Sequence, residues 1–226
     1  MNQNILTESF PFIMSQELKS NTLKRRRGRP PKIERDFSDT RKEILKSGVE
    51  IITENGFMSS GIDTIVKRVG VPKGSFYHYF KSKEEFGCEV IAEYGRYFAK
   101  KLDRHLSNKE QPSLNRMDSF VQDAKQGMLK FNFRRGCLVG NMMQESPQLS
   151  DACNAQLRHV LDSWKDKIRQ CLIEASQTNQ CKNDIDTDLY ANLFWSGWEG
   201  AVMRAKLFES TAPLDDFWAF YRDAIQ

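Results

Sequence analysis

From Phe37 to the last residue the apolar side chains recur at helical spacing, and no run alternates with the period of two that a half-buried strand requires. A chain patterned this way has to bury helix against helix, so the expected fold class is all-α. Thr40 with Glu43 has the form of a capping box ahead of Ile44, Gly48, Ile51 and Ile52, with Gly56 as the stop. A second, short helix carries Ile62, Ile65, Val66 and Val69 inward, with Ser60 and Asp63 as candidate caps. Gly70-Val71-Pro72 turns the chain into a third short helix through Lys73-Gly74-Ser75-Phe76-Tyr77-His78-Tyr79-Phe80. Two short helices across a tight glycine turn predict a helix-turn-helix.

Ser82 and Glu85 form another capping box and open a long helix with the inner face Phe86, Val90, Tyr94, Phe98 and Leu102. The series Met117, Phe120, Val121, Ala124 and Met128 predicts the next helix. A short apolar piece starts at Gly136-Cys137-Leu138 and closes at Pro147, and Leu157, Leu161, Trp164, Ile168, Leu172 and Ala175 mark another helix. The segment from Leu189 to Phe208 is apolar nearly all round, which predicts burial by its own domain and by a second subunit. A last helix after Pro213 carries Phe217, Trp218, Tyr221 and Ile225. The expected organisation is an N-terminal arm (1–36), a helix-turn-helix domain (37–82) and an effector-binding and dimerisation domain (83–226).

Charge narrows the function classes. Residues 1–80 hold 14 basic and 9 acidic side chains, whereas residues 81–226 hold 20 and 21, so the basic excess is N-terminal. Its densest part, Lys24-Arg25-Arg26-Arg27-Gly28-Arg29-Pro30-Pro31-Lys32, has too many prolines for a helix and no apolar residues for a core. Its Arg27-Gly28-Arg29-Pro30 centre resembles an AT-hook, an extended segment for the narrow minor groove of A·T-rich DNA. The alternative is a solubilising linker.

The longest uncharged stretch, ten residues between Asp188 and Glu199, is half of what a membrane span needs. With no secretory signal pattern near the N-terminus either, the expectation is a cytoplasmic protein. Five cysteines without a C-x-x-C pair indicate neither a zinc ribbon nor a disulfide scaffold, and the three scattered histidines offer no metal site, so no metal and no cofactor are expected. No P-loop and no nucleophile–base pair argues for an enzyme.

Gly56-Phe57 through Phe86, with Ile65, Gly70-Val71, Lys73-Gly74, Phe76-Tyr77-His78-Tyr79-Phe80 and Ser82-Lys83-Glu84, resembles the TetR/AcrR family of bacterial transcriptional regulators. Departures are Gly61, where Ser or Thr is commonest, and Val66, where Ala is usual. The resemblance implies that Lys73, Ser75, Tyr77 and His78 touch DNA, with Gly74 allowing close approach and Ser60, Tyr79 and Lys81 on phosphates; Arg27 and Arg29 of the arm join them. Phe76 and Phe80, at i and i+4, belong to the core. A homodimer on the last two helices then meets a palindromic double-stranded DNA site.

The stretches Arg134-Arg135-Gly136-Cys137-Leu138-Val139-Gly140-Asn141, Trp195-Ser196-Gly197-Trp198-Glu199-Gly200-Ala201-Val202 and Arg204-Ala205-Lys206-Leu207 are similar to the acrylate-utilisation regulators (AcuR type) within this family and to the related electrophile-sensing repressors. That resemblance implies a small-molecule effector, either acrylate-like or electrophilic, with Cys137 as a reactive thiol and Lys206 near it. Arg134, Arg135 and the helix start at Gly136-Cys137 are expected to favour the thiolate. In a non-covalent alternative Arg134, Arg135 or Arg204 holds a carboxylate and Trp195, Trp198, Phe131 and Met142 form apolar walls. Glu199 is expected to pair with Arg204 or a cation of the partner chain. The expected function is an effector-released repressor, the rival being an effector-independent architectural DNA binder.

Overall fold

The computed structural model describes residues 37–226, which form nine α-helices and one short 3-10 turn, with no strand among them. The order is α1 (Phe37–Asn55), α2 (Ile62–Val69), α3 (Lys73–Tyr79), α4 (Lys83–Leu106), α5 (Ser113–Lys130), α6 (Leu138–Gln144), α7 (Asp151–Gln177), α8 (Thr187–Phe208) and α9 (Ala212–Ile225), with the 3-10 turn at Ser146–Gln148 between α6 and α7. No described helix is long and apolar enough to cross a membrane.

Helices α1, α2 and α3 close over one apolar cluster. Ile44, Ile52, Ile65, Phe76, Phe80 and Phe86 are buried in it, and Phe86, from the first turn of α4, meets Phe76 and Phe80 edge-on at 5.2 and 4.9 Å. Gly56 ends α1 with φ +85°, and Gly70 ends α2 with φ +72°, its N–H returning to the Lys67 carbonyl at 3.1 Å. Both turns need the left-handed conformation that glycine adopts without a Cβ penalty. Ser82 caps α4 by accepting the Glu85 N–H at 3.0 Å, while the Glu85 carboxylate accepts the N–H of Lys81, one residue short of a reciprocal capping box.

Two expected caps are not formed. Thr40 lies inside α1, which already runs from Phe37, and is buried rather than terminal. Ser60 turns its hydroxyl back to donate to the Gly56 carbonyl, leaving Gly61 as the N-terminal residue of α2 without a side-chain cap.

The same apolar cluster continues into the remaining helices, where aromatic rings gather around α4, α7 and α8. Trp164 of α7 lies 4.4 Å from Phe98 of α4 and 5.2 Å from Trp195 of α8, ring centroid to ring centroid. Arg116, 6% exposed, ties three helices together: its guanidinium donates to the Leu106 carbonyl at 2.8 Å, to Ser113 Oγ at 3.0 Å and to Glu174 at 2.7 Å. Contrary to the sequence expectation, Cys88 of α4 and Cys153 of α7 are joined as a disulfide, so one cross-link fastens the helix leading out of the small domain to its long neighbour. Their separation of 65 residues hid the pairing, which only the α4–α7 packing creates.

Candidate functional site

Burial of Phe76 fixes which way α3 faces. With that ring at the bottom of the helix, Lys73 and Tyr77, four residues apart, stand on the outer side, Gly74 and His78 beside them. Tyr77 is 54% exposed, and Lys73, His78 and Lys81 are exposed as well. A Cβ placed on Gly74 would meet nothing within 4 Å, so internal packing does not demand glycine there. Lys73 is held by Asp63 of α2 at 2.6 Å, and that hydrogen-bonded carboxylate raises its already high pKa. Ser75 is half-buried; Tyr79 leans on the Phe37 ring at 4.5 Å and keeps only part of its surface free. Ser60 stands apart from this group, 2% exposed with its hydroxyl committed to Gly56, so in this conformation it has no face to offer a phosphate. Arg27 and Arg29 lie outside the described residues.

A second feature lies on the opposite side of α1. A cavity of about 690 Å³ is bounded by α1, α4, α5, the segment before α6, and α8. Its walls include the apolar Leu45, Phe98, Met128, Phe131 and Trp198, and its mouth carries the exposed Lys42, Lys46 and Tyr97. Arg135 and Lys101 also line it, with Glu50 and Glu93 as the acidic members. Cys137, which caps the start of α6, and Tyr94 of α4 also line it.

The predicted effector residues divide. Cys137 and Trp198 line the cavity; Lys206 lays its aliphatic stem over Gly136 and is half-buried, which pushes its ammonium pKa down. Trp195 does not line it: the ring is sunk between Trp164 and Phe194, with its indole N–H buried and unpartnered. Arg134 is exposed outside the wall, and Arg204 covers the Phe208 ring at 5.3 Å instead of pairing with Glu199.

The electrostatics around the thiol also differ from expectation. Burial raises the pKa of Cys137 far above the ordinary thiol value, and the charge of Glu199 beside it adds to the effect. Arg135, expected to favour the thiolate, is engaged by α1, donating to Glu54 at 2.8 Å and lying 3.4 Å from Glu50. Glu199 itself is 6% exposed, has no ion-pair partner among the described residues, and is pushed up to about 7 by burial.

Helix α6 runs from the cavity to the end of α1 and the loop before α2. At its start the Cys137 sulfur accepts the Gly140 N–H at 3.4 Å. In its middle, the Asn141 amide donates to the Thr53 and Ile52 carbonyls at the end of α1, at 2.8 and 3.3 Å. At its end Glu145 accepts the main-chain N–H groups of Phe57 and Met58, at 2.9 and 3.2 Å, in the loop that leads into α2. Sequence reasoning gave Asn141, at the end of the Arg134–Asn141 stretch, no role and missed Glu145 altogether, because both act across more than 80 positions.

Two family models match this chain. Residues 44–86 match the bacterial regulatory proteins of the tetR family, and residues 113–221 match the tetracyclin repressor-like C-terminal domain. The transcriptional regulator AcuR of Cereibacter sphaeroides is 43% identical over 86% of this chain and 88% of its own length. The HTH-type transcriptional repressors DhaR of Mycobacterium sp. strain GP1 and NemR of Escherichia coli K12 are 29% and 28% identical, over 82% and 83% of this chain and 91% and 94% of theirs. Among solved structures, the regulatory protein TetR from Rhodobacter sphaeroides superposes with a TM-score of 0.80 at 40% identity, covering 83% of this chain and 99% of that one. Reduced E. coli NemR superposes with a TM-score of 0.75 at 26% identity, over 83% and 98%.

Proposed function

This chain belongs to the TetR family of bacterial transcriptional regulators, and we propose that it is a dimeric repressor that releases a palindromic operator when a small ligand occupies, or reacts in, the cavity under α1. Residues 37–82 then read DNA and residues 83–226 sense the ligand and dimerise, in the cytoplasm. The repressor reading draws on two relatives that are transcriptional repressors, DhaR and NemR. DNA contact is assigned to Lys73, Gly74, Ser75, Tyr77, His78, Tyr79 and Lys81, with base edges read from α3 and phosphates held at its margins.

The observation that carries the sensing half is the double attachment of α6: the residue that caps its start, Cys137, lines the cavity, and the residue that caps its end, Glu145, holds the Phe57–Met58 amides. A ligand that moves Cys137 moves Glu145, and with it the loop that positions α2 and α3. Only a ligand that prefers the shifted state does this; a hundredfold fall in operator occupancy needs about 2.7 kcal/mol of such preference.

Arg135 and Lys101 on the wall are already paired, with Glu54 and Asp123, so the preference for an anionic ligand rests on the exposed Lys42 and Lys46 at the mouth, and the apolar walls favour one with a hydrocarbon or alkene part. Acrylate-like acids and soft electrophiles meet both demands, the latter with Cys137 as the group that bonds to them. A three-carbon acid fills little of 690 Å³, so larger conjugated compounds fit the walls better.

Dimerisation is assigned to α8 and α9. Leu189, Leu193, Ser196, Gly200, Met203 and Leu207 follow each other at alternating steps of four and three along α8 and none is buried. Leu207 is 76% exposed and Phe220 of α9 75%, a large apolar surface for a monomer to leave in water.

The test is fluorescence anisotropy of the full-length protein on DNA from upstream of its own coding region, with excess competitor DNA, with and without acrylate or N-ethylmaleimide. Tight binding relieved by either compound supports the proposal. Binding that ignores sequence and both compounds overturns it in favour of an architectural DNA protein.

A further inference from the structure

Glu199 is the one buried carboxylate among the described residues, and it lies where the cavity's thiol does. A Cβ on Gly140 would overlap the Glu199 carboxylate and stand 3.5 Å from the Cβ of Cys137, so the space left by that missing side chain is where carboxylate and thiol meet. One Glu199 oxygen, Oε1, is buried and has no hydrogen-bond partner. The other titratable groups facing the pair are Tyr94, whose phenol lies beside the Cys137 thiol and the Leu138 main chain, and Lys206, half-buried over Gly136.

A buried charge without a partner is costly and is retained only where something repays it. Here a buried thiol faces the opposite problem: it must lose a proton to become a nucleophile, yet burial and a neighbouring negative charge both oppose a free thiolate. The two difficulties cancel if the proton passes from one group to the other.

We propose that Glu199 is the proton relay for covalent capture of activated alkenes by Cys137, an inference that rests on the covalent form of the sensing function proposed above. As the Cys137 sulfur bonds to the β-carbon of the alkene, the thiol proton moves to the Glu199 carboxylate. The π electrons of the C=C bond shift to the α-carbon as an enolate, and the proton on Glu199 then passes to that carbon. The sum is addition of S–H across the double bond, with Glu199 restored and no oxidant or reductant consumed. At no stage does the buried site hold more than the one negative charge it began with. The class of ligand follows: an alkene conjugated to a carbonyl, its β-carbon able to reach the Cys137 sulfur.

The experiment follows the rate of N-ethylmaleimide addition to Cys137 in the full-length protein, by intact mass with peptide mapping, between pH 5.5 and 9. Wild type should show a rate that rises through the titration of Glu199 near neutral pH. Glu199→Gln, which keeps the shape, should react about a hundredfold more slowly at pH 7.5 and lose that rise, as expected for removal of a general base. Glu199→Asp should restore part of the rate, and both variants are checked for unaltered circular dichroism and operator binding. Equal rates in wild type and Glu199→Gln, or a slower rate with the pH profile unchanged, overturn the relay and leave the thiol sensor standing. If Cys137 of the wild type takes no maleimide in the native protein but does in denaturant, the covalent sensor itself fails, and the relay with it.

Discussion

The Glu145 carboxylate accepts the main-chain N–H of Phe57 at 2.9 Å across 88 positions of sequence, and the N–H of Met58 beside it. A charged acceptor on two amides at the mouth of the α1–α2 loop is worth more than a neutral hydrogen bond, because the amides there have no helical partner. Removing it as Glu145→Ala should cost about 1–3 kcal/mol of folding stability by urea denaturation. The effector response, read by anisotropy, should weaken by a larger factor than operator binding, since the bond belongs to the coupling and not to the DNA face. Glu145→Gln keeps one acceptor oxygen and should fall between the two.

Tyr77 and His78 point away from the core, so truncating either should leave the urea midpoint nearly unchanged, within about 0.5 kcal/mol. Each should lose about 1–3 kcal/mol of operator affinity if it reads a base edge, and lose less on unrelated DNA. Lys73→Ala should instead weaken all sequences alike and lower the slope of affinity against salt by about 1, as loss of a phosphate contact does. Anisotropy titrations at several salt concentrations separate the two behaviours.

The outer face of α3 was legible in the sequence because a seven-residue helix with one buried phenylalanine inside it and another just past its end has only one way to face. Phe76 and Phe80 are 0% and 1% exposed, and the polar residues between them follow. The inner faces of α4 and α7 were legible for the same reason, long periodic runs leaving little choice of side. The chemistry of the cavity was not. Glu199 looked like half of an ion pair with Arg204, five residues along the same helix, but that spacing puts the two on different faces, and Arg204 went to Phe208. Tyr94 looked like one more core aromatic on α4, and only the arrival of α6 gives its phenol a thiol and an amide to meet. The Cys88–Cys153 pair, likewise, exists only where α4 and α7 cross.

Gly140 is needed for what stands over it. Gly140→Ala should overlap the Glu199 carboxylate and destabilise the protein by about 1–3 kcal/mol. Shortening the neighbour as well, in Gly140→Ala with Glu199→Ala, should recover most of that loss. A double-mutant cycle by chemical denaturation gives the coupling directly.

Glu199 also sets a slope of stability against pH. Its carboxyl is raised to about 7 in the folded chain, above the ordinary 4.5, so the folded state binds the proton more tightly than the unfolded one. Stability therefore falls as pH rises from about 4.5 through 7 and levels off above, by at most about 3 kcal/mol. Glu199→Gln removes this contribution. Its stability relative to wild type should improve between pH 5 and pH 8, and urea midpoints at the two values decide.

The stripe on α8 makes the subunit contact testable by one side chain. Leu193, 48% exposed, lies on it away from the cavity walls. Leu193→Glu places two like charges near a two-fold seam and should shift the protein to a monomer in size-exclusion chromatography with light scattering, taking operator binding with it. The far-ultraviolet circular dichroism should stay that of a helical protein.

Helix α6 has seven residues, about 10 Å at 1.5 Å of rise each, fewer than two full turns. A rod that short stores no curvature, so a push at the sulfur end arrives at the carboxylate end as translation or rotation of the whole piece. The tuning of this switch then separates into two dials: wall residues such as Leu45, Phe131 and Trp198 set what pushes, while Asn141 and Glu145 set how much of the push is delivered. A chain built this way can acquire a new chemical cue by changing its walls while the linkage beneath them stays as it is.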